Sequence, residues 1–144
     1  MQVKDIMHAD VKTASANDTY ADVAVLLHEN AISSVVVMDG DRLAGIVTER
    51  DLVNLVADGG DPKTTKVADR MTTEVDTVDP KTDIADAAEH MARLRIRHLP
   101  VVEGDNLLGM VGIRDVLGAL AEHLWRTRDE DARETVHELL SRRR

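Results

Sequence analysis

The side chains best placed to do chemistry in this sequence sit in Thr48-Glu49-Arg50-Asp51 and Gly112-Ile113-Arg114-Asp115, two stretches with the same Arg-Asp ending 64 residues apart. A carboxylate three residues after a hydroxyl is a helix-capping arrangement. Thr48 accepts an amide of the first turn while Asp51 faces back, worth about 1 kcal/mol with no ligand involved. In the later stretch Gly112 replaces the hydroxyl, yet Asp115 remains. A carboxylate kept without its capping partner favours a second use, acceptance of hydroxyl protons from a bound molecule. Arg97 and His98 lie just ahead of an apolar run; the guanidinium presents a planar donor fork suited to phosphate oxygens, and the imidazole can donate from either nitrogen. Ser33 and Ser34 hold the equivalent places in the first stretch, hydroxyls without charge, so the two halves should bind differently. The plainer alternative is that Arg93, Arg95 and Arg97 form a solvated basic face on an acidic protein.

Other chemistry is not visible. His8, His28, His90, His98, His123 and His137 show no HExxH spacing and the chain has no cysteine, so a zinc site is not expected. Phosphate-binding glycine loops and a nucleophile elbow are missing as well. Asp39-Gly40-Asp41 and Glu103-Gly104-Asp105 read as hairpin turns and not as calcium loops. Without a nucleophile, metal or acid-base constellation, an enzyme is the least supported class.

The elements that must carry Asp51 and Asp115 follow from periodicity. Residues 35–38 and 43–47 are short, β-branched and separated by turn chemistry, which predicts two buried strands and then a helix starting at Glu49. The pattern returns at 99–102 and 107–111 with a helix from Ile113. Residues 3–54 align with 67–118 without a gap, matching Asp5 with Asp69, Met7 with Met71, Thr13 with Thr77, Ile32 with Ile96 and Gly45 with Gly109, a duplication. Strand character at 11–14 and 75–78 precedes caps at Asp18 and Thr82. The helices that follow bury Tyr20, Val23, Ala24 and Leu27, or Ile84, Ala87, Ala88 and Met91, at helical spacing. The order is β-α-β-β-α, twice. Asp58-Gly59-Gly60-Asp61-Pro62-Lys63 is a linker by composition, which sets expected domains at 1–60, 61–124 and a helical extension at 125–144. There, Ala132, Val136, Leu139 and Leu140 form a narrow stripe that is expected to dock with Trp125 as its neighbour, and Arg142-Arg143-Arg144 suits a helix C-terminus.

At 144 residues the chain holds one domain or two half-size units sharing a core, and the repeat selects the second. A net charge of -9 and a pI near 5.0 argue against nucleic acid, whose phosphates need a basic field. The lack of cysteine, of a signal peptide and of a long apolar run predicts a cytoplasmic protein with no membrane association. An excess of Asp over Glu with few Lys suits a high-salt host, though solubility explains it equally.

Two β-α-β-β-α repeats, with Asp5-Ile6-Met7 and Asp69-Arg70-Met71 opening them, Gly45-Ile46-Val47-Thr48-Glu49-Arg50-Asp51 closing the first and Leu99-Pro100-Val101-Val102 in the second, resemble a tandem pair of cystathionine β-synthase (CBS) domains, a Bateman module. The resemblance covers roughly residues 3–124 and implies an α/β (α+β) fold whose repeats pack with pseudo-twofold symmetry, plus a C-terminal helix. It implies a regulatory module that binds AMP, ADP, ATP or S-adenosylmethionine in the cleft between repeats, without a cofactor, and acts as a homodimer on another, unidentified protein. By the same resemblance Asp51 and Asp115, with Arg50 and Arg114 beside them and Thr48 ahead, meet ribose. Arg97 and His98, or Ser33 and Ser34, meet phosphate. Thr13, Thr77, Ile32, Ile96 and Pro100 belong to the adenine-binding surroundings. The competing reading is a ligand-independent scaffold dimer in which Thr48-x-x-Asp51 is only a cap.

Overall fold

In the computed structural model, which describes residues 1–127 and 130–141, the order is β1 (Thr13–Ser15), α1 (Tyr20–Asn30), β2 (Ser34–Asp39), β3 (Arg42–Thr48), α2 (Glu49–Ala57), α3 (Ile84–Leu94), β4 (His98–Glu103), β5 (Asn106–Gly112), α4 (Ile113–Thr127) and α5 (Glu130–Ser141). Short 3-10 turns at Val3–Asp5 and Val67–Asp69 open the two copies. The mixed α+β class agrees with the sequence, and the first copy shows the whole expected β-α-β-β-α order, while the second lacks its leading strand. The stripe of Ala132, Val136, Leu139 and Leu140, like Arg142 to Arg144, lies outside the described side chains. Trp125, the expected neighbour of that stripe, is 86 % exposed and so is not buried within the chain.

The chain forms two compact units, and they are not the two sequence copies. One contains Met1–Ala9, Thr77–Glu103 and Leu108–Arg144; the other contains Asp10–Asp76 and Gly104–Leu107. The leading segment of each copy therefore packs in the unit built mostly from the other copy. The cause is apolar: Val3 is fully buried with Ala87, Ala88, Met91, Leu99 and Val111, and Ile6 and Met7 pack against the same core. Val67 enters the core of Tyr20, Val23, Leu27, Val35, Val37 and Val47 in the same way, with Met71 against it.

In the unit that contains Asp51, β2 runs parallel to β1 and antiparallel to β3, in the sheet order β1-β2-β3. Val35, Val36 and Val37 are all fully buried, so β2 is an unbroken apolar run. Gly40 takes a φ of 59° at the β2–β3 turn, where Asp39 pairs with Arg42, and Gly104 takes 60° at the matching place. The α1 stripe lands as expected at Tyr20, Val23 and Leu27, with Ala24 only half-buried.

In the unit that contains Asp115, β4 and β5 pair, but the expected strand at 75–78 reduces to a single parallel bridge between Val78 and Val101. Two prolines explain this. Val78 donates to Pro100 O at 3.0 Å and Val102 donates to Val78 O at 3.0 Å. Pro100 has no N–H to continue the ladder before Val78, and Pro80 has none to continue it afterwards.

The helix caps also fall one residue later than expected, on Thr19 and Asp83 instead of Asp18 and Thr82. Thr19 and Asp22 form a reciprocal box (Asp22 N to Thr19 Oγ1 3.2 Å, Thr19 N to Asp22 Oδ2 3.0 Å), and the Thr19 amide and hydroxyl hold the Asp22 carboxyl below its usual range. Asp18 instead accepts from Ser15 N at 2.8 Å, closing the turn before the cap. Both α1 and α3 end on a left-handed residue, Ala31 (φ 51°) and Arg95 (φ 57°), after which Ile32 and Ile96 donate back to Leu27 O and Met91 O. This turn delivers residues 33 and 97 to the starts of β2 and β4.

Candidate functional site

Asp51 stands at the third position of α2, where a β-strand ends and a helix begins without a connecting loop. Its Oδ2 accepts from Thr48 N at 2.8 Å and from Thr48 Oγ1 at 3.3 Å, so the carboxylate is anchored facing back across the helix start. Thr48 pairs across the strands with Ser34, which is buried, and Ser33 O accepts from Glu49 N at 3.0 Å. The structure thus brings Ser33, Ser34, Thr48 and Asp51 together. Ile32 is half-buried beside them, Arg50 is exposed on α2, and Thr13 is exposed on β1 opposite Val36.

Asp115 repeats this geometry on α4. Its Oδ2 accepts from Gly112 N at 2.8 Å, and Ile113 donates to Arg97 O at 2.9 Å. A Cβ on Gly112 would stand 3.3 Å from Asp115 Oδ2, 3.6 Å from Arg97 O and 3.6 Å from His98 Cδ2, which puts the backbone of Arg97, the ring of His98 and Asp115 around one point. Ile96 is half-buried, Arg97 and Arg114 are exposed, and Pro100 is buried in β4 with its carbonyl on Val78 N. Thr77 is exposed, just ahead of the bridge at Val78.

Two sets of groups beside these carboxylates escaped the sequence reading. The first is His8, whose Nε2 lies 2.8 Å from Asp115 Oδ1. It arrives through the exchanged leading segment, since His8 and Met110 exchange backbone hydrogen bonds at 2.9 Å each. Its counterpart in the other copy is Thr72, so the equivalent segment brings no imidazole to Asp51. The second set lies along α2, where Asp51, Asn54, Ala57, Asp58 and Arg70 line an open recess of about 290 Å³. There Arg70 donates from an η nitrogen to Asp58 Oδ2 at 2.8 Å. The one signal for this cluster was the 3.6-residue period linking Asp51, Asn54 and Asp58 on one helix face; the arrival of Arg70 depends on tertiary structure.

Tyr20 is fully buried and its hydroxyl has no hydrogen-bond partner. Burial pushes its pKa from 10.0 up to about 12, the Asp51 carboxylate adds to the rise, Arg70 opposes it and Asp69 adds a little more. A folded pKa above the unfolded one means that this contribution to stability is complete below pH 10 and falls as pH climbs from about 10 to 12. The Tyr20→Phe variant should therefore lose less stability than the parent over that range, measured as urea midpoints against pH. Parallel curves would contradict it.

Among the described residues no helix is long and apolar enough to cross a membrane, and no group of His, Asp and Glu is arranged to hold a metal ion. The CBS domain family matches this chain twice, over residues 3–58 and 67–122. The CBS domain-containing protein YhcV of Bacillus subtilis is 33% identical over 114 residues, covering 79% of this chain and 81% of that protein. A CBS-domain containing protein from Agrobacterium tumefaciens superposes with a TM-score of 0.78 at 35% identity, covering 83% of this chain and 98% of that one. A CBS domain protein from Pyrobaculum aerophilum, complexed with AMP, superposes with a TM-score of 0.75 at 26% identity, covering 85% and 99%. Two matches that together span most of the sequence, on a fold shared with solved CBS-domain proteins, place the chain in the CBS-domain family as a tandem pair.

Proposed function

We propose that the chain is a regulatory module that binds adenosine-containing ligands and passes their presence to another protein, by binding and not by catalysis. The observation that carries this reading is the anchored carboxylate at the first turn of each closing helix, Asp51 and Asp115, each held by a backbone amide at 2.8 Å. A fixed carboxylate suits the two vicinal hydroxyls of ribose, both of which can donate to it. AMP in the Pyrobaculum relative supports the ligand class. Arg97 and His98 on one side, and Ser33 and Ser34 on the other, are the groups we assign to phosphate; Thr13, Ile32, Thr77, Ile96 and Pro100 are assigned to the surroundings of adenine. The regulatory step is a population shift, limited to the ligand's differential affinity for two arrangements.

AMP, ADP or ATP at about 100 times Kd should stabilise the protein by about 2.7 kcal/mol, seen as several degrees of melting temperature. Asp51→Ala and Asp115→Ala should each lower the binding stoichiometry while the fold, followed by circular dichroism, persists. No response to any adenosine compound would leave the scaffold reading in its place.

The assembly we propose is a homodimer. Val53 and Val56 on α2 are 62% and 65% exposed, and Val25 on α1 is 54% exposed, apolar surface that a twofold contact would cover. Light scattering at micromolar concentration should give twice the chain mass, and Val53→Lys with Val56→Lys should halve it. A monomeric parent would refute the assignment.

A further inference from the structure

Asp51 and Asp115 are held by different partners, and the difference falls on one histidine. Asp51 takes the Thr48 amide and the Thr48 hydroxyl on the same oxygen, Oδ2, at 2.8 and 3.3 Å. Asp115 takes the Gly112 amide on Oδ2 at 2.8 Å, while its other oxygen, Oδ1, meets His8 Nε2 at the same distance. Glycine at 112 offers no hydroxyl, and His8 supplies a donor in its stead. The backbone of His8 is fixed, since it exchanges two hydrogen bonds with Met110 at 2.9 Å each and follows Val3 and Met7, which are held by the core. Its side chain is nevertheless 70% exposed, against 24% for Asp115. A contact so open to water contributes little to the fold. What it does is fix the carboxylate: with one donor on each oxygen, turning the group breaks a hydrogen bond, and each oxygen keeps a lone pair for a further donor. Two vicinal hydroxyls require that pair of acceptors.

Resting on the ribose reading above, we propose that His8 is a positioning residue of the Asp115 site and makes the affinity of that site depend on pH. Imidazole changes charge between about pH 5 and 8. Neutral, with its proton on Nε2, it donates one hydrogen bond and leaves the carboxylate its charge as an acceptor; protonated, it forms an ion pair that neutralises the charge the hydroxyls would use. Binding therefore favours the neutral ring and releases a proton. The other charged and titratable groups around the pair are Arg114 on α4, which is exposed, and Arg97 and His98 at the start of β4, whose carbonyl and ring surround the Gly112 side of Asp115. From β5 comes Met110, and the leading segment itself carries Lys4 and Asp5, the latter accepting from Gln2 N at 2.8 Å. His98 is the second imidazole in this group, so it needs its own control.

The test uses adenosine, which has no phosphate to titrate, and the Asp51→Ala chain, which leaves the Asp115 site to be read alone. Calorimetric titration should give an affinity about fivefold weaker at about pH 5.5 than at about pH 8, and between them a binding enthalpy that varies with the ionisation enthalpy of the buffer, the mark of a released proton. His8→Ala should bind about tenfold more weakly at high pH. His8→Gln, which can still donate to Asp115 but does not titrate, should recover most of that loss and show no pH dependence. Both variants should melt near the parent because the side chain is exposed. A flat profile in the parent, or a pH dependence that persists in His8→Gln and vanishes in His98→Gln, overturns the inference while the ribose reading stands. Equal losses in His8→Ala and His8→Gln with an unchanged pH profile reduce His8 to packing and overturn it as well. No adenosine binding at any pH overturns both readings.

Discussion

A chain lacking residues 1–9 is expected to lose at least about 3 kcal/mol, with the unit that contains Asp115 melting first. The removed segment supplies Val3, which is fully buried, and Ile6 and Met7 packed on the same cluster. Full burial of a valine alone is worth about 1.5 to 3 kcal/mol, and the segment adds backbone bonds from Val3 N to Thr82 O (2.8 Å), from Lys4 N to Pro80 O (2.9 Å) and between His8 and Met110. Val67 and the turn at Val67–Asp69 remain in the other unit, so its core is untouched. Hydrogen exchange resolves the two: protection should fall in β4, β5 and α3 and persist in β2 and β3. Val3→Asp, which puts an unpaired carboxylate in the same cluster, should reproduce the pattern. Uniform loss across both units would show that the segment is not local in its effect.

The second large effect is expected from Gly109→Ala. A Cβ at position 109 would stand 2.7 Å from His8 O and 2.9 Å from Met7 Sδ. The methionine can turn away, but the carbonyl cannot, because His8 is tied to Met110 through both of its backbone groups. Overpacking typically costs about 1 to 3 kcal/mol, and an immovable backbone obstacle puts this change at the upper end. Gly45→Ala meets Met71 Sδ at 2.7 Å and Thr72 O at 2.9 Å, and Thr72 is tied to Ile46 through both of its backbone groups as His8 is to Met110, so it should cost nearly as much, falling short only because that carbonyl stands 0.2 Å further off. Urea midpoints on the two variants provide the ranking. The reverse order would mean that the His8 segment moves more readily than Thr72.

What the sequence made legible was periodic or local. β-branched runs flanking Asp39-Gly40-Asp41 and the stripe from Ile84 to Met91 declare their partners through spacing alone, and the gapless repeat declares the duplication. The strand expected at 75–78 was over-read because two prolines that look harmless in the sequence sit where the ladder needs donors. His8 and Arg70 were missed for a different reason: each reaches its carboxylate from a leading segment that packs outside its own copy, which no local pattern encodes. The carboxylates themselves were visible because a cap motif and a candidate ligand group share one position; the loss of the hydroxyl at Gly112 does not separate the two, since Asp115 still accepts from the Gly112 amide at 2.8 Å.

The exchange of leading segments also sets an order in time. The unit around Asp51 draws on a continuous run, Asp10–Asp76, apart from one turn, whereas the unit around Asp115 needs Met1–Ala9 joined to a stretch that starts at Thr77. Residues 1–9 are translated long before their partners β4 and β5. Closing so long a loop costs only logarithmically more than closing a short one, but contacts so distant in sequence form slowly. On the ribosome, therefore, Val3, Ile6 and Met7 wait as an apolar leader ahead of a unit that can already fold behind them. Their exposure ends only when synthesis has passed β5, and until then the same three residues that later seal a core stand as bare apolar surface.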